Sequence, residues 1–368
     1  MSARRMRLLL TADAVGGVWQ YAIDLARGLA PFGIDVLVAV IGPAPSGRQR
    51  AETRDVRLIE TGLPLDWLSD GPEPVRAAGA AIAALARAEA ADCVQLNTPA
   101  LAAETPFPCP VVAVAHGCLA TWWEAANGAP LPPEHAWHHD LMRQGLNAAA
   151  RVVAPTAAYG MAVMRQYRLA TSPHVVHNGR RPLALPRGVA QHDFAFTAGR
   201  LWDRAKNVAV LDRIAARLAI PFHAAGPTGG PHGEKVTPEH LHLLGVLDEE
   251  GMARRLAARP VFVSPARFEP FGLAVLEAAA AGCPLVLSDI PTFRELWADA
   301  AIFVDSGDDL GFVEAIERIV GDDMARRSLG EAARERARRH TPAAMAAAMA
   351  RLYARLLARP GSWGRAAA

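Results

Sequence analysis

The sequence predicts an α/β protein made of two Rossmann-like domains, each a doubly wound parallel sheet. Three observations carry that prediction. At 368 residues the chain has room for about two domains of ordinary size. Its apolar fraction of 51% is enough for well-packed cores and argues against disorder. Short apolar runs alternate with longer helical patterns along nearly the whole chain, the pattern of parallel βαβ units.

The start, from Met1 to Leu10, is basic and then apolar, but the run stops at Asp13. It is too short for the core of a secretory leader and reads as a first strand at 7–11. Further strands are expected at 35–41, 56–60, 93–97, 111–115, 151–154 and 174–177, with helices such as 18–29, 74–89 and 134–149 between them. The stretch from Arg180 to Gly188 has two prolines and no periodicity, and reads as an interdomain linker. The second half repeats the grammar. Strands fall at 194–198, 222–225, 241–245, 261–264, 285–288 and 301–304, and helices at 207–218, 249–258, 273–281 and 310–319. Two Arg/Ala-rich helices, about 322–340 and 342–359, finish the chain. The expected division is 1–182, 183–340 and a terminal 341–368. In open parallel sheets ligands bind beyond the carboxyl ends of the strands, so a cleft between facing domains is the expected site.

The net charge of +2 is small and mixed in sign, which excludes nucleic-acid binding as the main role. Lys206 and Lys235 are the only lysines. Cys93, Cys109, Cys118 and Cys283 show no CxxC or zinc-like spacing and read as buried free thiols in a reducing compartment. No stretch reaches the ~20 apolar residues that cross a bilayer, so the expectation is a soluble, cytoplasmic chain.

The most informative segment runs from Glu269 through Pro270, Phe271, Gly272 and Leu273 to Glu277. Pro270 and Gly272 force a turn that holds Glu269 before a helix, and Glu277 lies more than one turn inside it. With a rise of 1.5 Å per residue the two acids can stand about 8–12 Å apart. The free amides of the helix start lie between them and favour anions. That layout suits a ligand with two hydroxylated ends and a charged linker, the form of a sugar nucleotide.

Other constellations flank strand ends. Gly16-Gly17 opens the first helix, where the backbone can approach an anion or simply turn. This is not a GxGxxG fingerprint, and a nicotinamide cofactor is not expected. Arg200 and Lys206 bracket a strand-to-helix loop, either as a diphosphate clamp or as solvated surface. A lysine at a helix start opposes the macrodipole, which hints at an anion completing the site. His116 closes a strand and can donate a hydrogen bond to a sugar hydroxyl, or be a satisfied structural residue. Trp122-Trp123 read as packing or as a sugar-stacking pair. His135 and His138 share a helix face, but no third metal ligand is evident. Asn178-Gly179 reads as a turn, and Ser288, Asp289 and Glu295 as caps, turns or further cleft contacts. Six arginines between Arg326 and Arg339 read as a solvated face, with attraction to an anionic membrane as the alternative.

The pair Glu269 and Glu277, the run Gly199-Arg200-Leu201 with Lys206, and Gly16-Gly17, His116-Gly117 and Asn178-Gly179 each fall at the end of a strand. In that order they resemble the retaining glycosyltransferases of family 4, which have the GT-B fold. The likeness covers nearly the whole chain, and residues 269–278 match the family signature almost residue for residue. The resemblance implies a metal-independent hexosyltransferase with no cofactor, using a nucleotide-diphosphate sugar as donor. The first domain would hold most of an acceptor site for a sugar, glycan or lipid-linked glycan, and the second the donor. It implies that Glu277 binds ribose, Glu269 lies by the hexose, and Phe271, Gly272 and Leu273 offer backbone amides. Arg200 and Lys206 would clamp the diphosphate, Gly17 would approach the phosphates, and His116 would stand beside the reacting sugar. The last helix would cross back to the first domain. Two departures stand out: Lys206-Asn207 where relatives often have Lys-Gly, and His177-Asn178-Gly179-Arg180 where relatives commonly have Pro-Asn-Gly-Val. A sugar-nucleotide epimerase, a phosphorylase with pyridoxal phosphate on Lys206 or Lys235, and a silent sugar-nucleotide-binding subunit are the alternatives.

Overall fold

A computed structural model describes residues 4–358, which divide into two compact units. One comprises residues up to 124, 128–179 and the stretch from Pro342, and the other 180–341 with 125–127.

In the first unit the elements run β1 (Met6–Asp13), α1 (Gly17–Leu29), β2 (Ile34–Ile41), α2 (Gly47–Glu52), β3 (Arg57–Glu60), α3 (Pro72–Ala88), β4 (Cys93–Leu96) and β5 (Val111–Val114). There follow α4 (Leu119–Asn127), α5 (Ala136–Ala148), β6 (Arg151–Ala154), α6 (Ala157–Tyr167) and β7 (His174–Val175). The seven strands are parallel in the order β3-β2-β1-β4-β5-β6-β7. β1 is the hinge of the winding, with Leu8 level with Val36 on one side and Cys93 on the other. It is apolar on both faces because helices cover both faces of such a sheet.

The second unit contains β8 (Ala195–Ala198), α7 (Val208–Ala215), β9 (Phe222–Ala225), β10 (His242–Leu243), α8 (Glu249–Ala257), β11 (Val261–Ser264), α9 (Leu273–Ala281), β12 (Leu285–Ser288), α10 (Pro291–Trp297), β13 (Ile302–Val304), α11 (Asp309–Gly321) and α12 (Asp323–Ala337). Its six strands are also parallel, in the order β10-β9-β8-β11-β12-β13. Both sheets therefore reverse their winding beside their first strand, between β1 and β4 and between β8 and β11.

The chain's last described helix, α13 (Pro342–Leu357), belongs to the first unit. Its stripe of Met345, Ala346, Met349, Leu352, Tyr353 and Leu356 is buried in the same core cluster as Trp19, Ile23 and Leu29 of α1. The spacing of that stripe follows the helical period, so its large apolar side chains share one face, and the outer face carries alanines with Arg351 and Arg355.

The expected strands are all present, and the differences are physical ones. The runs expected at 174–177 and 241–245 shorten to two residues each, because both are edge strands with a neighbour on one side only. α2, α4, α6 and α10 are absent from the sequence prediction. They are short, and two of them start at local caps, the reciprocal Ser46–Gln49 capping box of α2 and the Thr156 hydroxyl accepting from the Tyr159 amide at α6.

The stretch read as a linker is docked. Leu183 is buried in the second unit's core with Leu185 and Val189 packed beside it. Half of the basic face expected between Arg326 and Arg339 is turned inward, while Arg327, Arg338 and Arg339 are exposed. Arg326 is 2% exposed and reaches Asp193, with further bonds to the carbonyls of His192 and Arg259. Arg334 donates to the Ala281 carbonyl and Arg336 to that of Leu296. These guanidiniums donate to main-chain carbonyls, which corrects both the solvated-face and the membrane-face readings for those three residues. Among the described residues no helix is long and apolar enough to cross a membrane. All four cysteines are buried and free, and burial pushes the Cys283 thiol up to about 12.

Candidate functional site

In a doubly wound sheet the crevice at the reversal point, beyond the strands' carboxyl ends, is the natural ligand site. In the second unit that point lies where β8 and β11 end, and the chain places Gly199, Arg200, Lys206 and Glu269 there.

Gly199 follows β8, and its amide donates to the Ala225 carbonyl at 3.0 Å. Gly226 stands so close that a Cβ on it would meet the Gly199 carbonyl oxygen at 1.7 Å, and its φ of +138° independently demands glycine. The two loop ends are thereby drawn together. Asp203, only 4% exposed, fixes the next turn by accepting from the Ala205 amide at 3.0 Å. Its other oxygen meets Arg200 at 3.0 Å, and the Arg200 guanidinium lies 5.4 Å from the centre of the Trp202 ring. Arg200 is thus oriented from below while its side chain stays 43% exposed.

Lys206 ends the short turn that Asp203 caps, and its ammonium forms an ion pair with the Glu269 carboxylate. The anion whose presence the misplaced lysine hints at is, in this structure, a side chain of the protein. Asn207 explains the departure from Lys-Gly. It sits in the left-handed region with φ +60°, a conformation that asparagine tolerates. Its amide donates to the carbonyls of Pro265 at 3.1 Å and Ser306 at 2.8 Å, two bonds glycine would lack. The Arg267 amide bonds the Ala205 carbonyl at 2.8 Å, so the loops carrying Lys206 and Glu269 are fastened to each other.

Glu269 leads into α9 through Pro270 and Phe271. Gly272 is the N-cap, with φ +89° and no side chain capping the first turn. A Cβ there would press on Glu269, Val275 and Phe293 at 3.3 Å each. The backbone of Gly272 and Leu273 therefore opens the helix beside the Glu269 carboxylate, where the macrodipole favours negative charge. Phe271 is buried, its ring edge-on to His340 with centres 5.6 Å apart. Thr197, Gly199, Lys206, Ser264, Glu269 and Val275 line one small cavity. Glu277, within α9, accepts from Arg180 at 2.7 Å. Arg180 is a partner of the candidate site residue Glu277 that sequence reasoning missed. Its departure from the relatives' valine, directly after the Asn178-Gly179 turn, was the available signal.

Ser288 is not a cap. Its hydroxyl donates to the Ala266 carbonyl and ties the end of β12 to the loop after β11. Asp289 pairs with Arg294 at 2.6 Å, and that hydrogen bond holds its carboxyl below the usual range.

In the first unit the reversal point lies between β1 and β4. Gly16 caps α1 with no side-chain hydrogen bond, and α1 starts at Gly17. Asn97 follows β4, and His116 follows β5. The His116 Nε2 lies 3.0 Å from Asn97 Oδ1, and its ring is edge-on to Tyr21 at 4.3 Å. Burial pushes its imidazole down to about 3, so it is neutral. The nitrogen facing Asn97 is engaged inside the protein, which fits the satisfied structural role that the sequence left open beside a sugar contact. Asn97, Gln95 and Tyr353 were missed because a buried amide network has no sequence spacing of its own. Trp122 and Trp123 lie edge-on to each other at 6.1 Å. His138 is buried against Asp66 at 2.9 Å, and His139 stacks on Tyr167, so the helical histidines have separate structural partners. Among the described residues no group of three potential metal ligands occurs.

The family description "Glycosyltransferase Family 4" matches residues 15–182, and "Glycosyl transferases group 1" matches residues 234–336. The chain is 32% identical over 105 residues to a phosphatidyl-myo-inositol mannosyltransferase of Mycobacterium leprae, covering 28% of each chain. It is 32% identical over 133 residues to a D-inositol 3-phosphate glycosyltransferase of Corynebacterium diphtheriae, covering 32% of this chain and 31% of the relative. The aligned part thus spans less than a third of these relatives' own length. Among solved structures, the sucrose-phosphate synthase of Thermosynechococcus elongatus superposes with a TM-score of 0.76 at 19% identity, over 96% of this chain and 100% of the other. Anabaena Alr3699/HepE in complex with UDP-glucose superposes with a TM-score of 0.74 at 19% identity, over 95% of this chain and 100% of that one. These likenesses show a shared fold, two parallel-sheet units of the GT-B type.

Proposed function

We propose that this chain, which belongs to the family 4, group 1 glycosyltransferases, moves a sugar from a nucleotide-diphosphate donor to an acceptor hydroxyl with retention of anomeric configuration. The observation that carries this reading is the Lys206–Glu269 ion pair at the open, uncapped start of α9. It puts a fixed cation, a carboxylate and the backbone amides of a helix start that no side chain caps within one small region. A diphosphate needs the cation and the amides, and a hexose needs the carboxylate to accept from its hydroxyls.

In this reading Arg200 and Lys206 hold the diphosphate, the amides of Phe271, Gly272 and Leu273 assist, and Gly17 supplies backbone approach. Glu277 accepts from the ribose hydroxyls. Glu269 orients the hexose and is not a covalent nucleophile. The acceptor oxygen bonds the anomeric carbon as the carbon–phosphate-oxygen bond breaks on the same face. The acceptor's proton passes to the departing phosphate oxygen, so charge and atoms balance. The growing negative charge on the diphosphate is met by Arg200, Lys206 and the helix start in place of a metal ion. No cofactor enters this scheme. The acceptor class, a sugar, glycan or lipid-linked glycan, rests on the family resemblance.

The test is a panel of UDP-, GDP- and ADP-sugars, measured by calorimetric binding and then by product analysis with chelator present. A bound nucleotide sugar and an α-configured product from an α-linked donor are expected. Failure of every nucleotide sugar to bind, or an inverted product, would overturn the reading.

A further inference from the structure

The first unit contains a buried chain of amides and hydroxyls that ends on His116. Its orientation can be worked out from one group that has no freedom. The Thr11 carbonyl oxygen can only accept, and Asn97 approaches it at 2.7 Å, so the Asn97 nitrogen points there. The Asn97 amide proton is itself held by the Thr11 hydroxyl at 3.0 Å, which fixes the residue at both ends. Asn97 Oδ1 must then face the other way, towards His116 Nε2 at 3.0 Å and Gln95 Nε2 at 3.0 Å. An amide oxygen cannot donate, so the hydrogen in the Asn97–His116 bond resides on His116 Nε2.

The far end of the chain agrees. Tyr353 of α13 donates its hydroxyl to Gln95 Oε1, leaving the Gln95 nitrogen to serve Asn97 Oδ1 and the Tyr21 hydroxyl, the latter at 3.1 Å. Both side-chain amides between Tyr353 and His116 then meet partners of the right kind at oxygen and nitrogen, as a buried network requires. Gln95 is wholly buried and Asn97 is 8% exposed.

We propose that Asn97 is a positioning residue that holds His116 as the Nε2–H tautomer and so presents Nδ1 as a hydrogen-bond acceptor. Among the described residues nothing donates to Nδ1. A neutral ring of this tautomer can take a hydrogen bond from a substrate hydroxyl and cannot give one through Nδ1. The sequence left His116 open as a donor to a sugar hydroxyl or as a satisfied structural residue; here Nδ1 is an acceptor. This role rests on the reading above only in placing His116 beside the sugar; the tautomer follows from the network alone. Tyr353 anchors the outer end and ties the arrangement to the helix that closes the unit.

The experiment uses the full chain labelled with 15N-histidine. Long-range proton–nitrogen spectra at neutral pH should show, among the histidines with a protonated Nε2 and a bare Nδ1, one signal that is lost in His116→Gln, which assigns it to His116. Asn97→Leu should give averaged shifts from mixed tautomers, and kcat/KM for sugar transfer lower by about 10–100-fold, as for other residues that orient a functional imidazole. Asn97→Ser makes the same test with a smaller packing change if the leucine variant does not fold. Tyr353→Phe should lower stability yet leave the tautomer in place, because the Thr11 carbonyl still holds Asn97. A parent protein with hydrogen on Nδ1, an imidazolium at neutral pH, or a tautomer unchanged in both Asn97 variants would overturn the proposal. Mixed tautomers with undiminished transfer would uphold the lock and remove His116 from the sugar.

Discussion

Arg180 Nε stands 2.7 Å from Glu277 Oε1, and the two side chains keep only 10% and 15% of their exposure. Arg180 is the first residue of the second unit after the crossing from Gly179, and its amide bonds the His340 carbonyl at 3.1 Å. The guanidinium therefore couples the entry of that unit to α9. Breaking a largely buried pair by removing one partner leaves the other charge without its counterion, a cost of several kcal/mol when burial is complete. With some solvent access here, Arg180→Ala should lose about 2 kcal/mol of unfolding free energy in urea. It should also weaken nucleotide-sugar binding through a less fixed Glu277. An unchanged urea midpoint would remove the pair from the stability of the unit.

Lys206 and Glu269 predict opposite effects on the two substrate moieties. Lys206→Met removes the cation that the proposed function assigns to the diphosphate, so kcat/KM should fall by about 100–1,000-fold, the scale for losing one preorganised stabiliser of transition-state charge. Binding of free nucleoside diphosphate should weaken in parallel. Glu269→Gln keeps the shape but removes the negative charge. It should leave nucleoside-diphosphate binding intact or tighter while lowering transfer. Calorimetry with UDP, GDP and ADP separates the two. Equal loss of diphosphate binding in both variants would contradict the separate roles.

Much of this was legible from the chain. Parallel strands buried on both faces read as continuous apolar runs, which is why β1, β2, β11 and β12 stand out. Glu269, Gly272 and Glu277 were legible because a turn and a helix start impose local spacing. Arg180 and Asn97 were not, since each acts through a partner distant in sequence, Arg180 on Glu277 and Asn97 on Thr11. The same limit explains the error over α12. Composition alone reads its arginines as surface, whereas Arg326 is buried among carbonyls supplied by His192 and Arg259.

That correction carries its own prediction. Arg326→Met should cost about 2 kcal/mol, because two backbone carbonyls lose a buried donor, while Asp193, whose side chain is 58% exposed, can turn to water. Arg338→Met, whose pair with Glu335 has side chains 69% and 62% exposed, should change stability by less than about 0.5 kcal/mol. Urea unfolding of both variants checks the contrast. Similar values for the two would return Arg326 to the surface.

His116 makes stability depend on pH in a defined window. Burial holds its folded-state value down to about 3, whereas an unfolded histidine titrates near 6.5. Between those values the unfolded chain binds a proton that the folded chain does not, so the stability slope with pH is positive. Stability is therefore unaffected by this group above about pH 6.5 and falls as the solution is acidified below it, by up to about 1.4 kcal/mol per pH unit. The carboxylates also titrate in acid, but they do so in parent and variant alike. His116→Gln retains a donor for Asn97 and cannot take up the proton. The free-energy difference between parent and His116→Gln should thus be constant from pH 7 to 9 and move steadily in the variant's favour from pH 6 to 4. Urea unfolding at each pH gives this difference directly. A difference that moved in the parent's favour on acidification would mean a charged, paired imidazolium in the folded protein, and with it the loss of the acceptor at Nδ1.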